Sequence, residues 1–201
     1  MSYVKSYILR PMSYVLHPMS DKEILQLCLQ EKTRDLGFKH LVSVYSKKIY
    51  WHVRRMVSDH DDANDVVQNC FIKAWKGLPN FREDSQLFTW LYRIATNESI
   101  TFLQDRYRKN NSGKPIETNV YVGSLKEEVW MDGDALKDKL QSAINTLPAK
   151  QKQVFIMRYF EEMKYEQMEE ILGTSTGALK ASFHHAVKKI EVILKEGLNH
   201  G

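Results

Sequence analysis

The sequence predicts an all-α protein made of two helical domains joined by a flexible linker. Three observations carry that expectation. Apolar residues recur at steps of three, four and one along most of the chain, the period of a helix with one buried face. The pattern breaks once, between about residues 110 and 133, where no helical or strand period holds. Towards the C-terminus an acidic helical segment, a glycine turn and a basic helical segment follow one another. The composition, 43% hydrophobic and 27% charged over 201 residues, suits one or two soluble globular domains.

Residues 1–19 stand apart from this pattern. They hold a near-repeat, Met1-Ser2-Tyr3-Val4 and Met12-Ser13-Tyr14-Val15, with Met19 a third candidate start, and they lack the features of a signal peptide. They read as a poorly ordered extension. Ser20 then caps a helix carrying Ile24, Leu25, Leu27, Cys28 and Leu29, with Asp21 and Glu23 complementing the dipole of its first turn. A second helix is expected over about 39–57. Leu41, Val44, Tyr45, Ile49, His52, Val53 and Met56 line one side, and Lys47, Lys48, Arg54 and Arg55 extend from the others. The acidic run 59–62 opens a third helix with one buried stripe: Ala63, Val66, Val67, Cys70, Phe71, Ala74 and Trp75. Its opposite side shows Asp65, Gln68, Asn69 and Ile72; an apolar Ile among polar neighbours fits the rim of a partner-binding surface. After a turn at 77–79 and a loop, a long helix is expected over about 86–107 with Leu87, Trp90, Leu91, Ile94 and Ala95 inward. Arg93, Asn97, Thr101, Gln104 and Arg108, at steps of four, four, three and four, form one polar line. Such a line is commonly solvated, but Arg, Asn, Gln and Thr are also the side chains that pair with base edges and phosphates.

Residues 111–133 read as the linker and 134–201 as the second domain. Leu136, Leu140, Ile144 and Leu147 mark its first helix; Pro148 opens the next, whose core is expected from Val154, Phe155, Met157, Tyr159 and Phe160. An acidic helix over 165–172 and a Gly173 turn lead to Ser175, placed to cap the last helix. There Ala178, Leu179, Phe183, Ala186, Val187 and Ile190 form an apolar face, and Lys180, Ser182, His184, His185, Lys188 and Lys189 face the other way. Two short helices around a glycine turn, the second presenting donors, fit a helix-turn-helix; alone, they equally fit an αα-hairpin with a solvated basic face.

Several classes are disfavoured. A net charge of +4 makes any nucleic-acid affinity a matter of local patches. Cys28 and Cys70 occupy apolar helical positions with no second ligand at metal spacing, so buried free thiols and a reducing cytoplasm are expected. No apolar run approaches the roughly 20 residues that span a bilayer. Glu-x-x-His pairs, phosphate loops and nucleophile elbows are missing, so neither an enzyme nor a cofactor is expected.

The stretches 62–75 (DANDVVQNCFIKAW), 81–85 (FREDS) and 89–97 (TWLYRIATN) together resemble the second conserved region of bacterial sigma-70-type factors. Thr146-Leu147-Pro148 and the final helix-turn-helix resemble the fourth region. With only these two, residues 20–110 and 134–201, the chain resembles the extracytoplasmic-function (ECF) subgroup. The resemblance implies a monomeric subunit that binds core RNA polymerase, on the clamp of the largest subunit and the flap of the second largest. It also implies recognition of promoter DNA at the −10 and −35 elements, DNA melting, and control by an anti-sigma protein. The clamp-binding face is implied at Asp65, Gln68, Asn69 and Ile72, with Asn69 where Glu is commoner. The −10 element is implied to meet Phe81, Asp84, Ser85, Arg93, Asn97, Thr101, Gln104 and Arg108, a flipped base lodging near Phe81, Asp84, Ser85 and Asn97. The −35 element is implied to meet Lys180, Ala181, Ser182, His184, His185 and Lys188. Arginines are common at these last positions, so a less G-dependent −35 element is expected. Lys164 stands where Ser commonly caps, and Glu169 where a small residue packs. The alternative is a dimeric helix-turn-helix activator, which needs a dimer helix or ligand pocket in its N-terminal half.

Overall fold

A computed structural model describes residues 19–81, 85–110 and 135–199. Among these residues the chain is helical, with no strand. In order they form α1 (Asp21–Leu29), α2 (Arg34–Val57), α3 (His60–Gly77), a 3₁₀ turn (Leu78–Asn80), α4 (Leu87–Asn110), α5 (Ala135–Asn145), α6 (Ala149–Phe155), a π-helical turn (Ile156–Phe160), α7 (Tyr165–Leu172) and α8 (Thr176–Asn199). The predicted linker and the N-terminal extension, save Met19, lie outside the described residues. Two compact units result: one of residues up to Arg54 with His60–Ile100, the other of Arg55–Asp59 with the chain from Thr101 onward.

The first unit begins with a full capping box. The Glu23 N–H donates to Ser20 Oγ, and the Ser20 N–H donates back to the Glu23 carboxylate at 2.8 Å. Ile24, Leu25 and Cys28 are buried, and Tyr45 Oη of α2 donates to Asp21 Oδ1 at 2.6 Å. Helix α2 starts at Arg34, five residues before the sequence suggests, because the turn is wound locally: Gly37 N–H donates to the Thr33 carbonyl. Gly37 is also where the backbones of α1 and α2 nearly touch; a Cβ there would lie 2.6 Å from the Cys28 nitrogen. Two expectations for α2 are corrected. Val44 is 38% exposed, and Arg54, expected to extend outward, is 6% exposed. The stripe on α3 is as expected, with Ala63, Val66, Val67, Cys70, Phe71 and Ala74 buried. Trp75, half-buried at its end, lies 5.0 Å from the Phe38 ring and 4.1 Å beneath the Arg34 guanidinium. Helix α4 buries Leu87, Leu91 and Ala95 as expected, and also Thr89, Tyr92, Thr96 and Ser99; Trp90 and Ile94 are only half-buried. His52, fully buried, sits 3.0 Å from Thr96 Oγ1 and against the Tyr92 ring. Both cysteines are free and buried, and burial pushes the Cys28 thiol up to about 11.

In the second unit Ala143, Ile144, Leu147, Phe155, Ala186 and Ile190 form the core, with Leu140, Phe183 and Val187 against it. Pro148 is the N-cap of α6 rather than its first turn. A further correction falls on Tyr159, expected in the core but 54% exposed. The π-helical turn adds a residue to the helical repeat there, so the 3.6-residue period that put Tyr159 inward no longer applies. Its ring stacks 5.0 Å outside Phe155, which in turn stacks 5.9 Å from Phe183. Lys152 is buried, its Nζ donating to the Met56 carbonyl, Ser58 Oγ and Asn145 Oδ1 at 3.0–3.3 Å. Burial holds its pKa down at about 8.

Gly37→Ala tests the α1–α2 approach. Alanine favours an isolated helix by about 1 kcal/mol over glycine, yet here it should lower the unfolding free energy by about 1–3 kcal/mol through the backbone clash. A urea melt of the full chain reads the sign; a gain in stability would overturn the close contact.

Candidate nucleic-acid and polymerase-binding surfaces

Burial of one stripe per helix decides what each helix shows outside. On α3, Asp65 and Asn69 are exposed and Gln68 and Ile72 half-buried. At i, i+3, i+4 and i+7 they make one line opposite the buried stripe. Beside it, Lys73 pairs with Glu98 of α4.

On α4 the polar line is open along its length: Arg93, Asn97, Thr101, Gln104 and Arg108 are all exposed. Arg108 Nη1 lies 3.4 Å from Asp105 one turn back, so that cation has a local partner at the end of the line. The residues before α4 are placed differently. The Phe81 ring packs 5.1 Å from Trp90 and is half-buried, as is Ser85; Asp84 lies outside the described residues. The structure therefore brings Phe81 together with Trp90, which sequence reasoning assigned only to the interior.

Helix α7 ends on Gly173 at φ 62°, the left-handed conformation that favours glycine, whose N–H donates to the Glu169 carbonyl. Ser175 then caps α8 as expected, its Oγ accepting the Ala178 N–H at 3.4 Å. At the start of α7 Lys164 offers no acceptor, but its N–H donates to Gln167 Oε1 at 3.1 Å, the reciprocal half of a capping box. Glu169 is exposed. Leu179, Ala186 and Ile190 anchor α8; Ala178, expected on the apolar face, is exposed. Lys180, Ala181, His184, His185 and Lys188 are exposed and Ser182 is half-buried. Lys180 Nζ stands 5.6 Å above the Tyr165 ring. Lys189 departs from the donor face: its Nζ donates to the Thr146 carbonyl at 3.1 Å, which ties α8 to the end of α5. Arg158, not singled out in the sequence, braces the turn before α7, donating to the Met163 carbonyl at 2.9 Å and lying 5.2 Å from the Tyr165 ring. No periodicity marks that residue; its role follows from the π turn. Among the described residues no cluster of three His, Cys, Asp or Glu side chains could hold a metal ion, and no helix is long and apolar enough to cross a membrane.

Two helical units, the second closed by a capped helix-turn-helix with a donor face, fit a protein of the helix-turn-helix class. The family model of Sigma-70 region 2 matches residues 41–109, and that of Sigma-70, region 4 matches residues 137–190. The chain is 30% identical over 173 residues to the ECF RNA polymerase sigma factor SigW of Bacillus subtilis, covering 80% of this chain and 90% of that protein. Among solved structures, the sigma factor RpoE in complex with the anti-sigma factor NepR from Bartonella quintana superposes with a TM-score of 0.62. It is 26% identical, and the match covers 79% of this chain and 96% of that one. CnrH in complex with the cytosolic domain of CnrY shares the fold, with a TM-score of 0.65 at 19% identity over 88% of this chain and 97% of that one. The chain belongs to the sigma-70 family of RNA polymerase sigma factors, in its ECF group. The dimeric activator is not favoured.

Proposed function

We propose that the three exposed lines divide the work of promoter recognition. Asp65, Gln68, Asn69 and Ile72 on α3 dock on the clamp of the largest polymerase subunit, with the second unit on the flap of the second largest. Arg93, Asn97, Thr101, Gln104 and Arg108, with Phe81, Asp84 and Ser85, take the melted −10 strand. Lys180, Ala181, Ser182, His184, His185 and Lys188 enter the −35 major groove. What supports this is the order of the two family regions, together with the exposure of α4's polar line on the face away from its buried stripe. Unstacking a base costs a few kcal/mol; Asn97 and Arg93, exposed on α4, return hydrogen bonds to it. The subunit carries no catalytic residue, works in the cytoplasm as a monomer when free, and is held in check by an anti-sigma protein, as the RpoE–NepR complex suggests for a relative.

Reconstituting the chain with core polymerase tests each surface. Asn97→Ala should lower open-complex yield about five- to tenfold, the worth of one hydrogen bond, while the polymerase complex forms as before; an unchanged yield removes Asn97 from the site. Gln68→Glu with Ile72→Lys should weaken core binding about ten- to a hundredfold by size-exclusion or anisotropy titration, and an unaltered complex would refute the docking face. His185→Arg should add a preference for guanine worth about 1–3 kcal/mol at one −35 position. Selection from a randomised upstream element reads this, and an identical selected motif counts against the assigned recognition face.

A further inference from the structure

The upstream-reading helix carries two imidazoles where an always-charged donor would serve a phosphate or a guanine better. His184 and His185 are both exposed, their ring centroids 6.1 Å apart. Lys180, His184 and Lys188 follow at steps of four, so His184 stands between two ammonium groups along one helical line. The helix has no carboxylate before Glu191. The helices packed against it carry Tyr165, Glu166, Glu169 and Glu170 on α7, Lys150 and Lys152 on α6, and Lys139 on α5. Lys180 is turned over Tyr165. Neither ring has a carboxylate on its own helix before Glu191, whereas a DNA duplex offers about one negative charge per 1.7 Å of its axis.

Resting on the −35 reading above, we infer that upstream duplex binding takes up a proton at the His184–His185 pair, making promoter engagement stronger at lower pH. Imidazole is the side chain that changes charge between about pH 5 and 8. A neutral ring offers one donor and one acceptor, a protonated ring two donors. Phosphates, purine N7 and guanine O6 only accept, so the protonated form fits more of what the groove and backbone present. For each proton taken up, the affinity changes by at most about tenfold per pH unit. The gained charge adds about 0.9 to the slope of log affinity against log salt.

The test uses holoenzyme reconstituted from core polymerase and the full chain, on promoter fragments that the same holoenzyme transcribes. Affinity is measured at pH 6 and pH 8 over a salt series for the native chain, for His184→Gln/His185→Gln and for His184→Arg/His185→Arg. Taking the ratio to the glutamine variant removes the polymerase's own pH response. The native chain should tighten about three- to tenfold more from pH 8 to pH 6 than the glutamine variant, with the steeper salt slope appearing only at pH 6. The arginine variant should keep the steep slope at both. Equal pH responses of native and glutamine chains would overturn the proton uptake while leaving the −35 assignment standing. Sequence-specific binding that ignores both substitutions at every pH would overturn that assignment and, with it, this inference.

Discussion

Rotation of the last helix about its own axis is the constraint on which the proposed upstream-reading surface depends. Leu179, Ala186 and Ile190 are buried, and the last two join Ala143, Ile144, Leu147 and Phe155 in one core. Each large apolar side chain so placed contributes about 1.5–3 kcal/mol. Turning α8 by one residue, about 100°, would expose them and drive Lys180, His184 or Lys188 towards the core, where an unpaired charge is costly. The Ser175 cap and the left-handed Gly173 fix where the helix begins, and the Lys189 ammonium on the Thr146 carbonyl fixes it again about four turns on. The donor face is thus a consequence of packing.

The first unit follows the same logic with a different device. Glycine at position 37 lets α2 approach α1 to backbone contact, and the capping box and the Tyr45–Asp21 bond hold the short α1 against it. Helix α3 packs the Phe71 and Trp75 rings against Phe38 of α2. Its outer line, Asp65 to Ile72, and the polar line of α4 are therefore left on the outside of their helices.

Sequence and structure diverge where polar or aromatic residues change sides. Thr96 and Ser99 are polar and buried; Ser99 Oγ donates to the Ala95 carbonyl, and Thr96 lies beside His52. Hydropathy reads such residues as wet because it does not see a hydrogen bond that a fold will supply. Arg54 and Lys152 are buried although both belong to types that normally reach water. Tyr159 errs the other way: the π turn breaks the period from which its inward position was inferred.

What the sequence determined by itself is whatever is encoded locally or periodically. That includes the helices themselves, the stripe on α3, the Ser20 and Ser175 caps, the glycine turn, and the two motif sets that place the chain among ECF sigma factors. These depend on neighbours three or four residues apart, which a sequence displays directly. What only the tertiary structure decided depends on residues far apart in the chain. Phe81 meets Trp90, and Lys189 leaves the donor row for the Thr146 carbonyl. Those outcomes turn on which surfaces are in contact, and no local spacing carries that information.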